Sequence, residues 1–592
     1  MLPANEVLPP KIYSGSLTAP KDAPLVQLVD HARQQSRPNA GSIARNNESK
    51  RVYQNKSIQI AQPLKRSSEN SSVDLETVMD KTDISFDDVL TQTASPASSS
   101  GDSAVYPLYD GIEAFAARSA FIKNASSSLD LQYYNLERGL STRLLLREIV
   151  EAAERGVRVR ILLDDRGQLG RDKDMLILNA HPNIEVRVYN PIKRFRGNLV
   201  TRWAVFLSNL STLRRRMHIK MWLADGVLGI TGGRNLGDRY FNAGEDDNFS
   251  DMDVLIAGRA VNDMQQGFDQ YWNSDQVIPM DYFDAKHLSL RREQISKMLF
   301  NTSRLTRKER VQRHPYLQVL RQTEDNMLDE VVRKMVWGNV DFVMDPANKI
   351  TVPAEPPMIS LAKEGEIRPN TPVFDRLHQA MTQAQKEVFI VSPYFVPGDE
   401  LVEFIISLQK RGVRVILLTN SLESNDVPVV NGHYDQYRDR LLAAGVTVYE
   451  MRGYPDVAPE PKWRHPIFSI RGSRTALHSK VVLIDGKVSF VGSMNLDHCS
   501  VTGNTEVGAF IAQPVFTERL RQLFLMQLRP QYSYQVRLDE NNKAYWYLQS
   551  SPKQGEFTAD QPASDRKITR EPGSAWRHLQ KNVGSWFPEH YM

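Results

Sequence analysis

A histidine and a lysine two positions apart, His218 and Lys220, open the stretch MHIKMWLADGVLGITGGRN at residues 217–235. Asp225 follows, then Gly232, Gly233 and Asn235. The same residue types at the same offsets return in LHSKVVLIDGKVSFVGSMN at 477–495, as His478, Lys480, Asp485, Gly492, Ser493 and Asn495. A histidine works near neutral pH as nucleophile, acid or base, and a lysine is a point charge for phosphate oxygens. A Gly-Gly or Gly-Ser step lets backbone approach a ligand, and an asparagine amide can donate to an oxygen. One His-x-Lys strand alone is ordinarily a solvated face. The whole pattern twice, in a chain with 12 histidines, points to a phosphoryl-handling site built in two halves.

Each copy reads as a β-hairpin. HIKMWLA and HSKVVLI are strand-like, Asp225-Gly226 and Asp485-Gly486 are two-residue turn signals, and VLGIT and KVSFV return. Alternation puts the His and Lys of each copy on one strand face. The two aspartates therefore read first as turn formers, ahead of any catalytic use. The surrounding elements repeat as well. SLDLQYYNL, STRLLLREIVEAAERG and VRVRILLDD predict strand, helix and strand, as do EVFIVSPYFV, DELVEFIISLQKRG and VRVILLTNS. RGVRV moves from 155 to 411, a shift of 256, and the first motif histidine from 218 to 478, a shift of 260. Two independent markers with nearly one offset imply an internal duplication.

The expected organisation is a duplicated α/β fold: a polar N-terminal tail over 1–104, a first half over 105–285, a basic helical connector over 286–354, a second half over 355–535, and a C-terminal extension over 536–592. Composition is that of a globular protein, 41% hydrophobic and 24% charged, with a formal net charge of +4 that suits an acidic partner. Cys499 is the only cysteine, so no intrachain disulfide or cysteine-rich metal site can form. The N-terminus lacks the basic-then-apolar pattern of a secretory signal, and no apolar run reaches bilayer-spanning length.

The pattern H-x-K-x4-D-x6-G-[GS]-x-N, present twice on a duplicated α/β chain, resembles the phospholipase D superfamily. The local wording GIEAFAARSA, RGVRVRILLDD, RRMHIK, GGRNLGDRYF, DPAN, SPYFVP, LTNSLESNDVPVV and GSMNLDHCS is most similar to bacterial cardiolipin synthases of the C type. The resemblance implies two mixed β-sheets flanked by helices, with the active site at the interface of the halves. It implies a covalent phosphohistidine on His218, with His478 as acid-base, and Lys220, Lys480, Asn235 and Asn495 on the phosphate oxygens without a metal or other cofactor. Gly233 and Ser493 would lie against the substrate; Gly233 departs from the serine of many relatives. An acidic residue should orient each histidine, and the strand positions after each motif nominate Asp251 (then Asp253) for His218 and Glu506 for the second half.

The implied substrates are phosphatidylglycerol and a second phospholipid such as phosphatidylethanolamine, at the surface of a bacterial cytoplasmic membrane, with no nucleic acid expected and protein partners unspecified. Rival readings are a phospholipase D hydrolase, a nucleic-acid phosphodiesterase and a non-catalytic lipid-binding scaffold. Two amphipathic stretches, 193–216 and SAWRHLQKNVGSWF near the C-terminus, read equally as membrane-docking helices or as helices packed on the core. His433, His465 and His498 read as ordinary polar histidines. Asn425 and Asp426 lie in a loop expected near the site.

Overall fold

The computed structural model describes residues 21–35, 103–168, 171–191, 215–244, 247–283, 327–351, 361–363, 365–454, 474–548 and 566–586. Most of the expected N-terminal tail, the basic run RLTRKERVQRHPYL, residues 193–214 of the first amphipathic stretch, and His465 lie outside these. Within the N-terminal hundred residues, Pro24–Gln35 is helical, and its Leu25 and Val29 are buried.

The strands of the first half are β1 (Ser103–Leu108), β2 (Ser128–Asn135), β3 (Arg158–Asp164), β4 (Ile184–Tyr189), β5 (Lys220–Ala224), β6 (Leu228–Gly232), β7 (Asp247–Ser250), β8 (Asp253–Gly258) and β9 (Val277–Pro279). Pairing runs β1-β8-β6-β5-β2-β3-β4-β9, with β2, β3 and β4 parallel and the rest antiparallel. β10 (Val336–Met344) then opens the second half, with β11 (Glu387–Val391), β12 (Phe395–Val396), β13 (Arg414–Asn420), β14 (Thr447–Met451), β15 (Arg474–Leu477), β16 (Val481–Ile484), β17 (Val488–Gly492), β18 (Leu496–Asp497), β19 (Val507–Ala512) and β20 (Ser533–Leu538). Its order, β10-β19-β17-β16-β11-β13-β14-β20, repeats the first strand for strand. β21 (Ala544–Leu548) and β22 (Arg566–Ile568) extend that edge. β1 pairs with β10, which joins the two half-sheets into one sheet of 18 strands.

Two expected boundaries move. The helical connector expected over 286–354 is, among its described residues, α-helical at Met327–Lys334 and 3-10 helical at Ala347–Thr351, but residues 336–344 form β10, the counterpart of β1. The basic composition just upstream hid a strand whose pairing partner lies in the other half. The second-half sheet likewise continues past 535, through β20 and its two added strands.

The predicted helices appear at Gly111–Asn124, Leu140–Glu154 and Gly398–Lys410. Asp110 caps the first, accepting from the Ile112 and Glu113 amides at 2.7 and 2.9 Å. Gly156 and Gly412 follow the other two with φ of 100° and 85°, where a side chain would be strained. Strand alternation then divides the core. Met221 and Leu223 face a central layer shared by both halves, whereas Trp222 and Ala224 face the helices outside the first half-sheet. The central layer also holds Met264 and Phe268 from helix Arg259–Trp272 and Leu520 and Phe524 from helix Pro514–Gln527. Both motifs thus hang from the inner faces of two half-sheets locked by one core. Among the described residues no helix is long and apolar enough to cross a membrane.

Candidate active site

Each hairpin turn is set by its aspartate and glycine. Asp225 and Gly226 have φ of 53° and 65°, and Asp485 and Gly486 of 55° and 63°, the paired left-handed values of a type I′ turn. The Asp225 carboxylate also accepts from the Ser126, Ser127 and Ser128 amides at 2.8–2.9 Å, and from two of those serine hydroxyls. Asp485 accepts in the same way from the Gln385, Lys386 and Glu387 amides. Seven residues of near-extended chain place these carboxylates roughly 20 Å from the histidines. Asp225 and Asp485, counted among the candidate site residues, clamp turns and do not belong to the site.

At the other end of the hairpins the halves interlock. His218 lies beside Glu506, its Nδ1 at 3.0 and 3.1 Å from the two carboxylate oxygens. His478 lies beside Asp251, Nδ1 to Oδ2 at 2.6 Å. The expected pairing of Asp251 with His218 is therefore wrong: each acid serves the histidine of the opposite half. The backbone explains why. β15, which leads into His478, pairs in parallel with β7, which leads into Asp251, and the His478 amide donates to the Ser250 carbonyl at 2.8 Å. The mirror contact is His218 N–H to the Thr505 carbonyl at 2.9 Å. Asp253, the second choice, pairs instead with Arg118 at 2.7 Å and receives the Arg234 amide at 3.1 Å, holding the glycine turn in place.

The two acids differ in length, and the adjacent motif residue compensates. Ser493 donates its hydroxyl to Glu506 and accepts the Val507 amide at 3.0 Å. A Cβ on Gly233 would stand 2.0 Å from Asp251 Oδ1, so the shorter acid fits only against glycine. Lys220 Nζ donates to the His218 carbonyl at 2.6 Å, and Lys480 Nζ likewise to the His478 carbonyl. Neither lysine forms a direct ion pair among the described residues; both are 1% exposed, and Asp251 and Glu506 act on both electrostatically. Asn235 donates to Tyr240 Oη at 2.9 Å, whereas the buried Asn495 Oδ1 has no hydrogen-bond partner.

Burial shapes the titration. It pushes His218 well below its usual pKa and His478 down to about 4, the nearby lysines adding to the effect. Lys480 falls to about 8 through burial, with Asp251 and Glu506 opposing, and Lys220 drops well below its usual value. Burial raises Glu506 to about 7 against the pull of Lys220. For Asp251 burial acts upward, but His478, Lys480 and Arg234 together outweigh it and hold the carboxyl at about 2. At neutral pH both imidazoles are thus neutral, each able to give its Nδ1 proton to a carboxylate and to keep a lone pair on Nε2. An arriving phosphodiester adds negative charge and favours protonated lysines. The arrangement can perform nucleophilic attack from one ring and proton transfer from the other.

Several aromatic walls were not anticipated. Tyr134 stands edge-on to His218 with ring centroids 5.3 Å apart, and Tyr240 and Phe249 flank His478 at 5.3 and 4.8 Å. The apolar strand LQYY was visible, but nothing local says which ring meets a histidine 84 residues on. Of the loop pair, Asp426 accepts from Tyr394 Oη at 2.6 Å and acts electrostatically on His478 and Lys480, whereas Asn425 braces its own loop through the Val427 amide.

A family profile described as "Cardiolipin synthase, PLD-like domain" matches residues 119–272 and 377–528, one copy in each half. Cardiolipin synthase C of Escherichia coli strain K12 is 31% identical over 495 residues, covering 83% of this chain and 96% of that protein. A cardiolipin synthase from a Geobacillus strain is 25% identical over 71% of this chain and 65% of its own length. Among solved structures, the phosphatidylserine synthase of Haemophilus influenzae covers 72% of this chain and 85% of its own, at 15% identity and a TM-score of 0.47.

Proposed function

The chain belongs to the cardiolipin synthase family of phospholipase D-like proteins and is a phosphatidyltransferase of that superfamily, and from that premise we propose that it makes cardiolipin from phosphatidylglycerol and a second phospholipid through a covalent phosphohistidine. His218 Nε2 attacks the phosphorus of the donor lipid. The bond from phosphorus to the headgroup oxygen breaks, and His478, neutral in the free protein but protonated in the substrate complex, where the phosphodiester charge and the ionised Asp251 favour its imidazolium, delivers its proton to that oxygen as the headgroup alcohol leaves. The free hydroxyl of a phosphatidylglycerol then gives its proton to His478 and attacks the same phosphorus, displacing His218 and forming cardiolipin. Lys220, Lys480, Asn235 and Asn495 hold the non-bridging oxygens while charge shifts among them.

The observation that carries the reading is the crosswise pairing of two buried histidines with two acids at one junction, beside two buried lysines. The assignment of roles rests on Asp251, which is held ionised 2.6 Å from His478 and is suited to stabilise the imidazolium that proton transfer creates. Acting from the surface of a bacterial membrane follows from the substrate class. The test incubates purified protein with labelled phosphatidylglycerol, with and without phosphatidylethanolamine, and identifies the products. Cardiolipin formation that disappears in His218→Ala and His478→Ala, with phosphorus label retained on His218 after a denaturing alkaline quench and lost on acid treatment, supports the proposal. Phosphatidic acid as the only product points to hydrolysis instead, and no lipid turnover refutes both.

A further inference from the structure

We propose that the C-terminal helix Ala575–Gly584, with the loops on which it lies, seats the catalytic site on an anionic phospholipid membrane; the inference rests on the phosphatidyl-transfer reading above. Seven large hydrophobic residues are exposed among the described ones, and five of them share this surface: Val427, Tyr454, Trp576, Leu579 and Trp586. Trp576 and Leu579 are three apart on one helix face, and Trp586 follows in the turn at its end, with 80% of its surface open.

The helix is turned against the usual rule. Its charged side chains face the protein: Arg577 donates to the Leu422 carbonyl at 2.9 Å and to that of Asn425, and Lys581 pairs with Glu571 and Asp435. Gly584 sits so close to the Val429 carbonyl that a Cβ there would approach within 2.1 Å. A helix anchored through its polar side and open on its aromatic side has its outward face ready for an apolar or interfacial partner.

Charge selects which partner. Of the five basic residues in 566–586, Arg577 and Lys581 face the protein, where Lys581 pairs with Glu571 and Asp435, and Arg566, Lys567 and Arg570 are exposed. Three exposed basic residues, with no exposed acid, on the segment that carries the exposed tryptophans suit the anionic headgroup layer of a bilayer. The patch also adjoins the chemistry. The loop under the helix carries Asp426, which bonds Tyr394 and acts on His478 and Lys480, and the very next residue is the exposed Val427. A lipid held at the patch is thus one residue along the chain from a group that faces the catalytic pair.

The test uses the full-length protein and a Trp576→Ser, Leu579→Ser, Trp586→Ser variant. Partition onto vesicles of equimolar phosphatidylglycerol and phosphatidylcholine is read by co-sedimentation, beside vesicles of phosphatidylcholine alone. Turnover of phosphatidylglycerol is measured in the same vesicles and in detergent micelles. The expected results are preference of the wild type for anionic vesicles and partition about tenfold or more weaker in the variant. Vesicle turnover should fall in parallel while micelle turnover stays unchanged, which also shows that the fold is intact. Unchanged partition of the variant overturns the proposal. So does a wild type that ignores both vesicle types and dimerises through this face. Absence of micelle turnover in the wild type refutes phosphatidyl transfer, and partition still reports on the docking surface.

Discussion

Asp251→Asn keeps the size of the side chain and removes the charge 2.6 Å from His478 Nδ1. In the crosswise geometry this acid acts on the proton-transfer histidine, so its loss should hurt the step in which an alcohol must be protonated. Two unit charges about 4 Å apart at an effective dielectric constant of about 20 attract by about 4 kcal/mol. At about 1.4 kcal/mol per factor of ten, losing that support for the His478 imidazolium costs about a thousandfold in kcat. Two substrates separate this from a general loss. Phosphatidylglycerol releases glycerol, which needs a proton; the phosphatidyl ester of p-nitrophenol releases a phenolate, which does not. In rapid-mixing experiments Asp251→Asn should slow glycerol release about a thousandfold and keep the p-nitrophenol burst within about tenfold of the wild type. Glu506→Gln, facing the nucleophile, should slow both. If Asp251→Asn slows both substrates equally and Glu506→Gln depends on the leaving group, the assigned roles are reversed.

The pH dependence of kcat/KM should be a bell. Activity rises as Glu506 ionises near pH 7 and falls as Lys480 loses its proton near pH 8, and Glu506→Gln should abolish the acid limb. Lys349 sits behind that acid: its Nζ is 2.7 Å from Asp345 Oδ2, which also accepts the Glu506 amide at 3.1 Å. Its charge pulls the Glu506 pKa down. Lys349→Met should therefore move the acid limb to higher pH, and an unmoved limb would leave Lys349 a merely structural role. Gly233→Ser should displace Asp251, lowering kcat on phosphatidylglycerol with little change in far-ultraviolet circular dichroism. Ser493→Gly, which removes the hydrogen bond to Glu506 and the acceptor of the Val507 amide, should cost about tenfold. Asp225→Ala should lower stability by about 2–4 kcal/mol, seen as an earlier urea midpoint, and leave the kcat of the folded fraction intact. A large fall in that kcat would return Asp225 to the catalytic set.

Much of this site is written locally. The hairpins follow from Asp-Gly between alternating apolar runs, and the Asp225 and Asp485 turns form where that pattern puts them. The helix ends at Gly156 and Gly412 were legible because a left-handed residue after a helix favours glycine. β10 was not, because a strand flanked by basic and polar sequence is recognised only by the edges it fills, here those of β1 and β19. The C-terminal stretch showed an apolar stripe but not its direction. That depended on Arg577 and Lys581 finding partners in the 422–435 region.

The sequence by itself determined that there are two equivalent half-sites, which residue types they hold and which turns present them. Spacing and repetition are properties of the chain and survive without a fold. Only the tertiary structure decided that Glu506 serves His218 across 288 positions and that Asp251 serves His478 across 227. Such pairings arise where β15 lies alongside β7 and Met217 bridges to Thr505, contacts between halves that no local pattern records. The common core of the two half-sheets holds them together. It places each acid in the site of the other half and buries both deeply enough to set their charges.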